Sequence, residues 1–242
     1  MVVIHGGFWQ SGYALDLGAL LGADLAQRGW AAWNIEYRRL GNGGGWPTTF
    51  ADVAAAVDHL RELDGVDPRR VITLGHSAGG QLAAWAASRR GPGLPGGAPR
   101  VRVAATVPQA GVLDLRAAAA EGLGGTAVPD LLGGMPDEPA TGRLTGRVDR
   151  YRLADPVERL QLGVPIRCVH GSDDTTVPIS QSRAYVDAAR AAGDDAELVE
   201  VPGDHFSLID PGSAAWRRTV EVLDRLSTAV TGDGAAHPRP QK

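Results

Sequence analysis

The sequence predicts an α/β protein: one mostly parallel sheet with helices on both faces. Three observations predict it. Short apolar runs alternate with amphipathic helical stretches along nearly the whole chain. A glycine-rich turn, Gly75-His76-Ser77-Ala78-Gly79-Gly80, sits between an apolar run at 70–74 and a helical stretch at 81–88. Glycine-rich or polar loops follow the apolar runs, at the carboxyl ends of the strands where parallel sheets bind ligands.

Taken in order, Val2-Val3-Ile4 is a minimal strand, and His5 to Gly12 is a loop because of its glycines. Leu17, Leu20, Leu21 and Leu25 fall at helical spacing, with Gly29 as the stop. A second strand covers 30–37 and a glycine-rich loop 41–47. Thr49 with Asp52 reads as a capping pair, and Phe50, Val53, Val57 and Leu60 line one helical face. The strand at 70–74 leads into the serine turn and its helix, and 89–100 is a Gly/Pro-rich surface loop. A strand at 101–110 precedes a mixed stretch, 115–155, read as a partly helical, cap-like excursion over the sheet. Strands at 165–170 and 196–201 flank a helix at 179–192, and Ser213 caps a last helix carrying Trp216, Val220 and Leu223. Residues 1–230 make one domain, and 231–242 read as a disordered tail.

Composition narrows the function. With 242 residues, 43% of them hydrophobic, the chain can bury a core without staples. The net charge is -4 with no basic block, which argues against a nucleic-acid partner. No apolar run is long enough to span a membrane. Cys168 is the only cysteine, so no intrachain disulfide can form. That and the missing leader give a cytoplasmic expectation. No His/Cys spacing or calcium-loop motif points to a metal, and no cofactor is expected.

The chemistry centres on Ser77. Strand, G-x-S-x-G and helix together form a nucleophile elbow, whose glycines let the chain turn sharply and present the hydroxyl. A serine hydroxyl needs a base, and the base needs an orienting acid. The loop at 170–178 supplies Asp173 and Asp174, and the loop at 202–206 supplies His205. Asp114 lies after an earlier strand and reads instead as a turn or cap. The order serine, acid, histidine is that of the α/β-hydrolases. The oxyanion of the reaction needs N–H donors, which Ala78 and the loop His5-Gly6-Gly7-Phe8 can supply. Trp9 and Trp46 are candidates for lining the substrate pocket, with core packing as the equal alternative, and His76 is read as packing or lining. Tyr37-Arg38 is read as a brace under the oxyanion loop.

From His5-Gly6-Gly7-Phe8-Trp9 through Tyr37-Arg38, the serine elbow, His170 to Pro178 and Asp204-His205, the chain resembles α/β-hydrolases of the esterase/arylformamidase group. Kynurenine formamidases share the His-Gly-Gly-aromatic-Trp signature. The resemblance implies an α/β-hydrolase fold with Ser77 as nucleophile, Asp174 as acid and His205 as base. It implies Gly7, Phe8 and Ala78 as oxyanion donors. The substrate is then a small carboxylic ester or aryl formamide, cleaved through an acyl-enzyme. A dipeptidyl-type peptidase of the same fold and a non-catalytic small-molecule binder on the scaffold are the alternatives. Family members have strands ahead of the His-Gly-Gly strand and this sequence shows none, so the open sheet edge is expected near residue 2. A second copy of the chain, in a homo-oligomer, would be one way to cover it.

Overall fold

A computed structural model describes residues 1–136 and 149–232. Six strands form one sheet: β1 (Val2–Ile4), β2 (Trp33–Ile35), β3 (Ile72–His76), β4 (Ala105–Gln109), β5 (Ile166–Gly171) and β6 (Ala196–Val201). Their order is β2-β1-β3-β4-β5-β6, and every neighbouring pair is parallel.

Period-2 alternation sorts the strand residues between two faces. Val3, Ile72, Leu74 and Val107 pack with α1 (Asp16–Gln27) and α8 (Ala214–Gly232), through Leu21, Leu25, Trp216 and Leu223. Val2, Ile4 and Ile35 face the other way, against α2 (Thr48–His59) and α3 (Ala78–Ala87), through Phe50, Val53, Val57, Leu82 and Trp85. On that face, α7 (Ile179–Ala191) covers the far strands with Tyr185, Val186 and Ala189 against Ile166 and Cys168. The 115–155 stretch contributes α4 (Leu115–Ala120), α5 (Ala127–Leu132) and α6 (Arg150–Ala154); its residues 137–148, like most of the 231–242 tail, lie outside the described residues.

Some expectations change. The open edge is β2, not the region of Val2: the chain leaves β1 outward through α1, then crosses back through α2 to β3 on the other side. Leu20 is 67% exposed, so only part of the leucine spacing of α1 faces the core. Thr49 and Asp52 do not cap α2. The Thr49 hydroxyl donates to Arg38 O at 2.6 Å and accepts from Gly45 N, while Asp52 pairs with Arg38 at 2.7 Å. Long-range partners outcompete the local box. Ser213 does cap α8, its Oγ accepting from Trp216 N at 2.8 Å, and Asp114 caps α4 through Ala117 N at 2.8 Å.

Candidate active site

The site is assembled at the carboxyl ends of β1, β3, β4 and β5 and the loop after β6. Ser77 ends β3 at φ 57, ψ -121, a left-handed conformation that costs a non-glycine residue on the order of 1–3 kcal/mol. Close approach by neighbouring backbone explains the glycines. A Cβ on Gly75 would lie 2.0 Å from Gly79 O, and one on Gly79 would lie 2.1 Å from Ile4 O. The start of α3 therefore abuts β1. The Ser77 N–H donates to Gln109 O on β4 at 2.8 Å. Ala78 opens α3, so its N–H lacks an intrahelical acceptor and stands at the positive end of the helix.

The loop after β1 runs beside this turn. Gly7, Phe8 and Trp9 all take positive φ, at 105, 48 and 56. Gly6 is pressed against the serine: a Cβ there would stand 2.9 Å from Ser77 Cβ. The loop is braced from several sides. Tyr37 Oη donates to His5 O at 2.8 Å and its ring stacks on His5 at 4.4 Å. His5 Nε2 meets Glu36 Oε1 at 2.9 Å, and Arg39 donates to the same oxygen at 2.6 Å. Arg39, not Arg38, thus joins this brace; Arg38 is held outside by Asp52.

Trp9 packs in the core. It is fully buried, and its Nε1 donates to Gln81 Oε1 at 3.1 Å; Gln81 in turn donates to Ala154 O at 2.9 Å. Trp46 keeps a partly exposed face, tilts on Phe50 at 5.1 Å, and its N–H donates to Leu131 O at 2.7 Å. The Phe8 ring lies under the excursion, where a Cβ on Gly124 would come within 2.4 Å of Phe8 Cε1.

Asp174 and His205 meet, and Asp173 points outward as an exposed residue. The His205 Nδ1 to Asp174 Oδ2 distance is 2.6 Å. With Nδ1–H donating to the carboxylate, Nε2 keeps its lone pair. Asp174 Oδ1 accepts from the N–H groups of Thr176 and Val177 at 2.8 and 2.9 Å. Burial opposes ionisation of this carboxyl. Hydrogen bonds from His170, His205 and Val177 N–H outweigh it, so its pKa lies far below the usual carboxylate range. His170 is fully buried; its Nε2 donates to Val177 O at 2.9 Å and lies 3.4 Å from Asp174 Oδ2, and its Nδ1 meets Ser182 Oγ at 2.8 Å.

Two buried residues join the serine turn to the histidine loop. His76, directly before Ser77, donates from Nε2 to His205 O at 2.9 Å, with ring centroids 4.4 Å apart. Burial, helped by the neighbouring His205, pushes its pKa down to about 3, so it stays a neutral donor. Gln109, whose carbonyl accepts from Ser77 N, donates through Nε2 to Leu208 O at 2.8 Å and Thr219 Oγ1 at 3.2 Å. His76 is therefore a buried brace between the serine turn and the histidine loop. The role of Gln109 could have been suspected from a polar residue ending an apolar strand. Among the described residues, no cluster of His, Cys, Asp or Glu could hold a metal ion, and no helix is long and apolar enough to cross a membrane.

A parallel sheet of this order, with a left-handed serine between its third strand and the following helix, defines an α/β-hydrolase fold, and solved structures agree. The Est2 esterase of Thermogutta terrifontis with bound propionate is 26% identical, with a TM-score of 0.73 over 95% of this chain and 82% of that one. The BD-FAE family model matches residues 1–188, and the chain belongs to that family. Two Mycobacterium tuberculosis proteins are also similar: esterase LipQ, 30% identical over 96% of this chain and 55% of its own length, and esterase LipC, 27% over 87% and 53%. The chain thus spans about half the length of the curated relatives it matches.

Proposed function

We propose that this chain is a serine esterase that cleaves small carboxylic esters through an acyl-enzyme. In this reading His205 Nε2 takes the Ser77 proton, Ser77 attacks the carbonyl, and the Gly7, Phe8 and Ala78 N–H groups hold the oxyanion. Asp174 holds the imidazole in its Nδ1–H tautomer and stabilises the imidazolium. Water then resolves the acyl-enzyme, with His205 again as base. The observation that carries the reading is the 2.6 Å contact between His205 and an ionised, buried Asp174, on a loop tied to the Ser77 turn through His76. Esterases LipQ and LipC and the propionate-bound Est2 support the ester class, and Est2 is also found phosphonylated by sarin. The His5-Gly6-Gly7-Phe8-Trp9 loop extends the reading to aryl formamides.

The test is labelling by an alkyl fluorophosphonate. Wild type is expected to be labelled and Ser77→Ala not. Absence of label on well-folded wild type sinks the proposal. Comparing p-nitrophenyl acetate with N-formylkynurenine then separates esterase from formamidase activity.

A further inference from the structure

Phe206 is large and apolar, yet it is 62% exposed. Its backbone is nonetheless fixed. Asp204 Oδ1 accepts from Phe206 N at 3.1 Å, from Ser207 N at 2.8 Å and from Ser207 Oγ at 2.7 Å. The ring meets His205 edge-on, with centroids 5.4 Å apart and planes at 87°, and lies 6.5 Å from His76. A held apolar ring, open to solvent beside an imidazole, is a surface for an apolar group to cover.

Ester chemistry says which group that is. The leaving oxygen must receive its proton from the imidazole, while the carbonyl oxygen is drawn to the N–H groups of the glycine loop and Ala78. The alcohol portion of the ester therefore runs from the imidazole along the His205 loop, where Phe206 is the large exposed side chain. Asp173 and Asp204 are both exposed nearby, with the Asp173 N–H donating to Gly203 O at 3.0 Å, so this flank disfavours a negatively charged alcohol. We propose that Phe206 is a specificity-determining contact for the leaving group and selects esters of neutral, apolar alcohols of about benzyl size over short ones. The proposal rests on the esterase reading above.

The test holds the acyl group constant. kcat/KM is measured for ethyl, hexyl and benzyl acetate with wild type, Phe206→Ala and Phe206→Leu. Wild type is expected to favour the hexyl and benzyl esters. Phe206→Ala should lose about tenfold on those two and no more than about twofold on ethyl acetate, and Phe206→Leu should recover most of the loss on hexyl. Equal losses on all three esters, or no preference in wild type, overturn the proposal. Fluorophosphonate labelling of the same preparations separates the two failures. Labelled Ser77 without the preference, or without turnover of any acetate, overturns this inference alone, whereas unlabelled, folded wild type overturns the esterase reading with it.

Discussion

The two ends of the sheet are built on opposite plans. Around the starts of β1, β2 and β3 lies a cavity of about 620 Å³, lined by Met1, Arg28, Trp30, Trp33, Arg70 and Asp224, among others. Two of the charged groups along its wall pair locally: Arg28 with Asp24 at 2.6 Å and Asp67 with Arg69 at 3.0 Å. At the carboxyl ends His5, His76, Gln109, His170 and His205 are all buried and hydrogen-bonded, and His76, Gln109 and His205 bond from one loop to another. Burying that many polar groups is costly unless they find partners, and His76 and Gln109 find theirs between the serine turn and the histidine loop. Volume alone does not mark a reactive site; convergent buried polar groups do.

The largest effect belongs to the acid. Asp174→Asn removes the acceptor that fixes the His205 tautomer and is expected to lower kcat by about 10³–10⁴-fold with KM little changed. Steady-state kinetics on an acetate ester check this. A loss under about tenfold would place the functional carboxylate elsewhere. Because hydrogen bonds keep Asp174 ionised well into acid despite its burial, it does not titrate in the working range. Asp174 is therefore not the group behind any loss of activity between pH 5 and 7.

A smaller effect belongs to the brace. His76→Phe removes the donor to His205 O but keeps a ring in the space. It should lower kcat by about 10–100-fold, since small misplacements of a reacting group are costly, while KM stays within about twofold. His76→Gln can still donate from its amide and should recover most of the loss. If both variants lose KM and kcat together with a fallen Tm, the role of His76 is only structural.

These braces show what could be read from the sequence. The elbow was legible because strand, glycines, serine and helix each leave a local signature, and β6 was legible because Gly193 and Pro202 bracket an alternating run. The choice of Asp174 over Asp173 as the partner of His205 followed from a family resemblance; the loop by itself offered both carboxylates. The fates of Trp9, Thr49 and Leu20 were not legible. Trp9 and Thr49 were settled by partners outside their own segments, Gln81 and Arg38, and Leu20 by its exposure to solvent. The edge position of β2 was likewise hidden, because a strand's sequence does not say on which side of its predecessor it will pair.

The excursion offers a test of stability instead of rate. Asp155 is fully buried; its Oδ2 accepts from Arg116 N at 3.1 Å, while Oδ1 has no protein partner. Burial, with nearby Asp114 adding to it, pushes its pKa up from 3.8 to about 7. The folded state thus holds this proton more tightly than the unfolded chain. The resulting stabilisation is complete below about pH 4 and is lost as pH rises toward 7. Asp155→Asn keeps an acceptor for Arg116 N and removes the titration. Relative to wild type, its Tm should be a few degrees higher at pH 8 than at pH 5. An offset that does not change with pH would mean Asp155 ionises normally.

The smallest effect is expected at the other end of the sheet. Arg70 is exposed on the cavity wall, at the start of the segment leading into β3. β3 itself ends at the serine turn, so Arg70 begins one covalent route from the cavity to the site. That route is stiff, because Ile72 to His76 are all buried and paired with β4, and Thr73 to Gly75 pair with β1. A surface truncation at the strand's start should leave its far end in place. Arg70→Ala is expected to change kcat/KM for an acetate ester by less than about twofold. A tenfold fall with unchanged Tm would show that the cavity feeds the serine turn, and the two ends of the sheet would then have to be treated as one site.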